Sequence, residues 1–225
     1  MKKILLGFLV LFFVQASFAQ DSGKGTNIYT ASTGETILSF GMVEAEPLNT
    51  GTVARFTPFF NFGQQLHFDF SNSFGLFTGL NVRNVGIITD LDGPSVEDEI
   101  RVKQRTYNLG IPIAFKVGDV EGWRFSGGFE AEFAFAYKQK VYVNGEKRKS
   151  SSWFDDRVEI FQPSVFVEVV GKEGNFIRFK YYLNDYLTEN QMLNIDGLDF
   201  NPTSSNMFYI SVGYVIKNKE IKNSF

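Results

Sequence analysis

Glu130 and Glu132 are the residues whose types and spacing most directly suggest chemistry in this sequence. They are two positions apart, and alternate side chains of a β-strand point to the same face, so both carboxylates would share one environment. A close pair of carboxylates can act as a general acid and a general base.

The same alternation places cations beside this pair. Six basic residues fall on the polar face of the strands predicted below: Arg83, Lys116, Arg124, Lys138, Arg178 and Lys180. Charged groups removed from water need partners of opposite charge. We therefore expect a mutually neutralising charge network inside the protein instead of a catalytic dyad. Its predicted members are Arg83, Glu130, Glu132, Glu168, Arg178 and Lys180.

His67 is the single histidine, and a histidine can activate a serine nucleophile in a lipid-modifying hydrolase. No Gly-x-Ser-x-Gly motif accompanies it. The chain contains no cysteine, which excludes thiol nucleophiles and Cys-type zinc sites, and one histidine cannot form a His-based metal cluster. We expect no catalytic, cofactor or metal site, and a lipid-modifying enzyme is the alternative.

Two charged segments lie between the predicted strands. Asp90, Asp92 and the acidic run 97–99 could bind Ca²⁺, but their spacing is not that of a helix-flanked calcium loop, which favours a solvated acidic loop. The basic run Lys147–Lys149 could contact an anionic saccharide or lipid phosphate, or could only keep its loop soluble. With 22 basic and 25 acidic residues and a net charge of −3, the chain has no footprint for nucleic acid.

The first residues have the layout of a secretory signal peptide. Met1–Lys3 is cationic, Ile4–Val14 is apolar, and small residues precede a cleavage point after Ala19. Eleven apolar residues are too few for a membrane-spanning helix, and no later stretch is long enough either. We predict a signal peptide at 1–19, a periplasmic leader at 20–35, a β-domain at 36–217 and a C-terminal tail at 218–225.

A two-residue period dominates the rest of the chain, which contains 26 Phe. Between 55 and 71 the even positions are nearly all aromatic or aliphatic, and the odd ones are polar or small. The pattern returns in six later segments, and a weaker first strand lies near Ile37–Val43, so we predict eight antiparallel strands. Even positions 168, 178 and 180 share the polar face, and a hairpin folded about Glu173 would set Glu168 opposite Arg178.

The small residues of these strands lie on the polar face, which suits a crowded interior with bulky apolar side chains outside. Short turns near 71–73, 118–122 and 171–175 alternate with longer connections, as in up-and-down barrels of outer membranes. We also place Trp123 and Tyr137 on the outer face, at opposite edges of the apolar band. The prediction is a transmembrane eight-stranded antiparallel up-and-down β-barrel. A soluble lipocalin-like carrier stays open, because alternation alone does not say which face is wet.

The segment Tyr107–Lys116, Tyr-Asn-Leu-Gly-Ile-Pro-Ile-Ala-Phe-Lys, resembles a stretch of the outer-membrane β-barrel family abundant in Bacteroidetes, sometimes called PorT-like or OmpX-like. The resemblance implies an eight-stranded barrel in the outer membrane with a structural or interaction role, and a part in protein secretion. The partners it implies are outer-membrane lipid and lipopolysaccharide, and proteins of the envelope or of a secretion complex.

Overall fold

The computed structural model describes residues 26–46, 49–92, 100–188, 193–195 and 198–221. The predicted signal peptide, residues 20–25 of the predicted leader and the last four residues lie outside these ranges. The described residues form twelve strands: β1 Asn27–Glu46, β2 Asn49–Val53, β3 Arg55–Thr57, β4 Phe62–Asp69, β5 Phe74–Asp92, β6 Ile100–Gly118, β7 Arg124–Val143, β8 Glu146–Trp153, β9 Phe161–Val170, β10 Asn175–Tyr182, β11 Leu193–Ile195 and β12 Leu198–Ile221. No helix long and apolar enough to cross a membrane occurs in these ranges.

Eight strands close into a ring in the order β1, β4, β5, β6, β7, β9, β10 and β12. The ring closes because β12 pairs with β1 over nearly its whole length, from Ile28 opposite Ile221 to Glu46 opposite Asn201. Every pairing is antiparallel, and chain neighbours are ring neighbours. The predicted eight-stranded up-and-down barrel is confirmed. The remaining strands extend it: β2 and β3 continue the line of β4, β8 forms a hairpin with β7, and β11 pairs with β12.

The barrel strands extend beyond the predicted β-domain at both ends. The first strand begins at Asn27, opposite Asp69 of β4, and not at residue 36. Polar outward residues hid it, because Ser32 breaks the apolar alternation and instead accepts a 2.7 Å hydrogen bond from the Gln64 side chain. The last strand continues to Ile221, so the segment predicted as a tail from 218 is still paired with β1 as far as the structure describes it.

The barrel has one rim of tight turns, which we call the short-turn rim. It carries the connections between β4 and β5, β6 and β7, and β9 and β10. The opposite rim, the long-loop rim, carries the longer connections, including the β7–β8 hairpin around Asn144 and Gly145. Position along the barrel is measured between these two rims below.

The side chains of β6 show that the barrel changes character along its axis. Toward the short-turn rim, apolar side chains from Leu109 to Val117 face outward, while Asn108 and Lys116 are buried inside. Toward the long-loop rim, Ile100 and Val102 are the buried ones, and the outward side chains are charged. The short-turn half is therefore apolar outside and polar inside, and the long-loop half is the reverse.

A bulge in β7 corrects two predicted orientations. Tyr107 of β6 pairs with Ala136 but Asn108 pairs with Ala134, so Phe135 is an extra residue and the alternation of β7 shifts by one. Beyond the bulge Tyr137 is buried and Lys138 is exposed. Tyr137 is therefore not an outer aromatic, and Lys138 does not enter the lumen, because one inserted residue exchanges the two faces.

The wall strand formed by β3 and β4 is interrupted at 58–61. No ladder joins β3 to β5 there, and side chains replace it: the Asn84 amide donates to Asn61 Oδ1 at 2.8 Å. The Arg55 guanidinium donates to the Asn84 carbonyl at 3.2 Å and to Asn84 Oδ1 at 2.6 Å. Phe59 and Phe60 protrude outward at the interruption, and Phe60 has a φ of 65°.

Candidate functional site: a filled lumen

The carboxylates of Glu130 and Glu132 on β7 meet a lysine at the centre of the lumen. Lys180 Nζ lies 2.6 Å from Glu130 Oε2 and also donates to Glu132. Gly110 of β6 faces them, and a Cβ at that position would overlap the Glu130 carboxylate. Glycine is therefore required there by close approach, and the carboxylate pair is held by cations as the sequence led us to expect.

Arg83 of β5 joins this pair to the first strand. Its guanidinium contacts Glu130, lies 3.6 Å from Glu132 and donates from Nε to Glu35 at 2.8 Å. One guanidinium thus bridges β7 and β1 across the lumen. Bridging of this kind needs the planar fork of arginine, which presents donors in two directions.

Arg178 of β10 forms the other branch of the network. It pairs with Glu168 of β9 in the ladder, as the predicted hairpin requires, and its Nη2 lies 2.7 Å from Glu168 Oε2. Its Nη1 reaches Glu35 at 3.2 Å. The predicted pairing of Glu168 with Arg178 is confirmed.

The structure adds a carboxylate that sequence reasoning missed. Glu35 contacts both Arg83 and Arg178, but it had been assigned to the leader, outside the barrel. Continuing the alternation of β1 back from Ile37 would have placed it on the lumen face. The neutral donors to these carboxylates were also missed: Asn81 to Glu130 at 2.7 Å, Asn108 and Tyr182 to Glu132 at 2.9 and 3.0 Å, and Ser211 to Glu35 at 2.6 Å.

We call the charged cluster the lumen network: Glu35, Arg83, Glu130, Glu132, Glu168, Arg178 and Lys180. All of these side chains are buried. Four carboxylates face three cations, so the network has one more acid than base, and the neutral donors offset the surplus by hydrogen bonding. Its ion pairs join five strands to one another, and each of its carboxylates already has a cationic partner.

A second polar layer lies between the lumen network and the short-turn rim. Lys116 donates to Asp69, and its Nζ lies 3.1 Å from His67 Nδ1 and 3.2 Å from the Tyr29 hydroxyl. Since the ammonium can only donate, His67 Nδ1 accepts, and Nε2 donates to Gln65 at 3.0 Å. The imidazole is stacked between Tyr29 and Phe77, with ring centroids at 4.8 and 5.1 Å. His67 is therefore a packed, fully bonded side chain without a serine partner among its contacts.

The lumen opens at the short-turn rim as a vestibule of about 490 Å³. Tyr29, Asp69 and Arg124 form its floor, and Glu121, Lys172 and Lys217 line its mouth. Arg124 donates to the Val120 carbonyl at 3.2 Å. The predicted lumen cations Lys116 and Arg124 thus lie inside, but in this layer and not in the lumen network.

The long-loop half is closed by a hydrophobic core. Its larger members are Ile37, Ile87, Leu91, Tyr137, Tyr182, Tyr186, Leu187, Met207 and Tyr209. The Asp155–Arg157 pair lies beside it, with Arg157 Nη2 2.7 Å from Asp155 Oδ2 and the guanidinium 4.6 Å from the Tyr137 ring. Hydrogen bonds from Arg157 lower the pKa of the Asp155 carboxyl to about 2. Polar and charged side chains thus occupy the short-turn half of the lumen, and apolar side chains occupy the long-loop half.

The two charged loop segments have separate surroundings. Asp90 ends up on β5, where the hydrogen bonds from Arg101 at 2.6 and 2.8 Å lower its pKa. Residues 93–99, with the rest of the predicted acidic loop, lie outside the described ranges. The basic run Lys147–Lys149 is exposed on β8 and paired with β7.

Comparisons with known proteins give structural likenesses only. The sequence matches no protein-family model, and a search of curated proteins gives no match. Among solved structures the chain is similar to Ail, the attachment invasion locus protein of Yersinia pestis, with 12% identity and a TM-score of 0.36, covering 84% of this chain and 99% of that one. It is also similar to Neisserial surface protein A, with 9% identity, a TM-score of 0.37 and 87% and 100% coverage. For OprG of Pseudomonas aeruginosa the identity is 10%, the TM-score 0.39, and the coverage 87% and 98%. The fold assignment above depends on the strand pairings of the chain itself.

Proposed function

We propose that this protein is an outer-membrane β-barrel with a closed lumen and a structural or interaction role in the cell envelope. The observation that carries the proposal is the outer surface of the short-turn half. Its outward side chains on β6, β7, β9 and β10 are apolar and highly exposed; examples are Ile113, Phe115, Phe125, Val167 and Ile177. An apolar outer surface of this extent on a closed barrel is stable when lipid surrounds it.

Two belts of aromatic rings bound this band. On the long-loop side of the band, Phe60, Tyr107, Phe135 and Trp153 form a chain across neighbouring strands, with successive centroids 6.0, 6.5 and 6.0 Å apart. Near the short-turn rim, Phe70, Phe74 and Phe115 form a second chain, with Trp123 exposed beside them. Trp123 and Phe135 are twelve residues apart, which is roughly 28 Å along the barrel axis for a strand tilted by about 45°. This separation suits a hydrocarbon layer of about 25–30 Å with aromatic girdles at its edges.

The filled interior supports a role without transport. A lumen occupied by the lumen network on one side and a hydrophobic core on the other leaves no aqueous path for a porin. The same side chains occupy the interior where a lipocalin-like ligand would bind, and the described contacts of His67 include no serine of the kind that a lipid-modifying enzyme would need. Contacts through the outer surface and the loops are what remain.

Fractionation of the envelope tests the location. The mature protein is expected in the outer-membrane fraction after washing with alkaline carbonate. Release into the wash as folded protein would contradict the proposal and would favour the soluble carrier.

The resemblance of Tyr107–Lys116 to PorT-like barrels favours a part in protein secretion, with other envelope proteins as partners. Crosslinking in intact cells followed by pull-down from detergent-solubilised envelopes tests it. Recovery of a defined envelope complex would support a secretion component, and recovery of the barrel alone would favour a free-standing role.

A further inference from the structure

Outward-facing cations stand directly opposite one another on three adjacent strands at the long-loop half. Lys103 of β6 pairs with Lys140 of β7, and Lys140 pairs with Lys149 of β8. One step closer to the apolar band, Arg105 pairs with Lys138. We call Lys103, Arg105, Lys138, Lys140 and Lys149 the cationic ladder.

Among the residues that the structure describes, the ladder is not matched by ion-paired counter-charges. Across the residues that the structure describes, none of its five members forms an ion pair with a carboxylate; the neighbouring Asp90 is bonded to Arg101 at 2.6 Å. Like charges directly opposite in a sheet repel one another. Desolvation and the neighbouring charges of Lys147, Arg105 and Lys149 lower the pKa of Lys140. An arrangement of this kind is stabilised by an anion that binds across the strands.

A groove of about 220 Å³ runs beside the ladder and contains one unsatisfied buried donor. It is lined by Arg55, Lys103, Arg105, Lys138 and Lys140 together with Phe56 and Ile88. The Arg105 Nε atom is buried without a hydrogen-bond partner. Arg55 is itself buried, and its hydrogen bonds go to Asn84, which carries no charge. The groove thus combines guanidinium and ammonium donors with an apolar edge.

The height of the ladder identifies the anion. The Arg105 guanidinium lies 5.7 Å and the Lys138 ammonium 5.4 Å from the centre of the Tyr107 ring, a member of the aromatic belt that ends the apolar band. Side chains one step above an aromatic girdle lie at the level of lipid headgroups. Resting on the membrane placement proposed above, we infer that the cationic ladder and its groove bind the phosphate groups of an anionic lipid in the leaflet on the long-loop side. Phe56 and Ile88 would contact the lipid where its headgroup meets the acyl chains.

The test uses the mature protein reconstituted in phosphatidylcholine vesicles with and without bisphosphorylated lipid A. Lipid binding is measured by native mass spectrometry of the extracted barrel and by lipid retention during purification. The double variant Arg105→Gln with Lys140→Gln removes two ladder charges. Its matched control, Lys172→Gln with Lys217→Gln, removes two charges at the vestibule mouth on the opposite rim.

We expect the wild type and the control to retain lipid A, and the ladder variant to bind it roughly 30-fold more weakly. Each basic residue near an anionic lipid surface contributes about 1 kcal/mol to binding, so the loss of two corresponds to about this factor. Equal loss in both double variants would overturn the site, because only bulk charge would then matter. Displacement of the lipid by millimolar inorganic phosphate would contradict lipid as the ligand. Failure of the wild type to insert into either vesicle, measured by flotation, would instead contradict the membrane placement.

Discussion

At the scale of single residues, the lumen shows how far alternation predicts contacts. The alternation of odd and even positions along the strands was enough to bring Arg83, Glu130 and Glu132 to one face, since a closed barrel has only one interior. Parity could not show that Lys116 and Arg124 belong to a separate layer, because height depends on strand stagger, which the sequence does not display. Glu35 was missed for a third reason: the polar outward residues of β1 concealed the strand.

Glu168 and Arg178 provide a double-mutant test of the lumen network. Removing one partner leaves a buried charge without compensation, so Glu168→Gln or Arg178→Met alone should cost about 3–5 kcal/mol, and both together much less than the sum. The measurement is urea unfolding in lipid vesicles. The Arg178 variant should be the more destabilised, because it also releases Glu35. Additive effects of the two changes would show that the lumen is hydrated enough to solvate each charge alone.

The ion pair between Asp155 and Arg157, which we call the clasp, predicts that the stability of the long-loop side depends on pH. The folded carboxyl has a pKa of about 2, against about 3.9 in an unfolded chain. Because the folded pKa is the lower one, the clasp stabilises the loop fully above pH 4, and this contribution is lost as the pH falls toward 2. Carboxyl NMR of Asp155 should titrate near pH 2. A midpoint near 4, the value of an aspartate in an unfolded chain, would mean that the Asp155–Arg157 ion pair does not persist in solution.

At the scale of elements, the irregular strands are the ones that sequence did not resolve. The predicted second strand was continuous through Pro58, whereas the structure interrupts it at 58–61. The pattern of Phe56, Phe60 and Phe62 is compatible with a regular strand, and only the partners of Asn61 and Arg55 show that the ladder is broken. The β7 bulge was invisible for a similar reason, because Phe133, Phe135 and Tyr137 continue an apparent alternation through it.

A substitution of Asn61 measures how much its hydrogen bond to the Asn84 backbone amide stabilises the interrupted wall strand. Asn61→Ala removes the acceptor of the Asn84 amide and leaves a buried N–H without a partner, which should cost about 1–3 kcal/mol of unfolding free energy. Asn72→Ala removes an exposed amide in the turn between β4 and β5 and serves as the control, with an expected change below about 0.5 kcal/mol. Chemical denaturation of both variants in one lipid decides it. Similar small losses would show that water or a neighbouring group replaces Asn61.

Arginine substitutions along β7 test the depth of the apolar band. Phe129 lies midway along β7 between Trp123 and Phe135, and Phe133 lies near the aromatic belt that contains Phe135. Phe129→Arg should cost about 2–4 kcal/mol and Phe133→Arg less, because the penalty falls toward the interface. The order is measured by reversible unfolding from vesicles, with Ala131→Ser on the same face as a mild control. A reversed order would place the membrane at a different height.

At the scale of the whole molecule, closure is the feature that the sequence predicted best. The three tight turns, the eight alternating segments and the small residues on the polar face all agreed with one topology. Closure pairs β1 with β12 from Ile28 to Glu46, so the ring of described strands presents no open seam to solvent or lipid.

A closed seam predicts heat-modifiable mobility in gels. The folded barrel should resist detergent and migrate differently from the boiled chain, since all ladder hydrogen bonds are internal. Paired samples, boiled and unboiled, provide the measurement. Replacing Leu38 and Ile210, which face each other across the seam, by proline should abolish the difference, because proline cannot donate to the ladder. Identical migration of the two wild-type samples would argue against closure.

The exchange of apolar side chains from the outer to the inner face has a consequence for reading sequences of this kind. On β6 the apolar residues occupy odd positions from Leu109 to Val117, but even positions from Ile100 to Val102. The two-residue period continues, but the apolar residues change from one face of the strand to the other, and this change occurs at the aromatic belt that contains Tyr107. On the membrane placement proposed above, the residue of β6 at which apolar side chains change from the outer to the inner face marks the edge of the hydrocarbon layer, and on a strand without a bulge this residue can be found from the sequence alone.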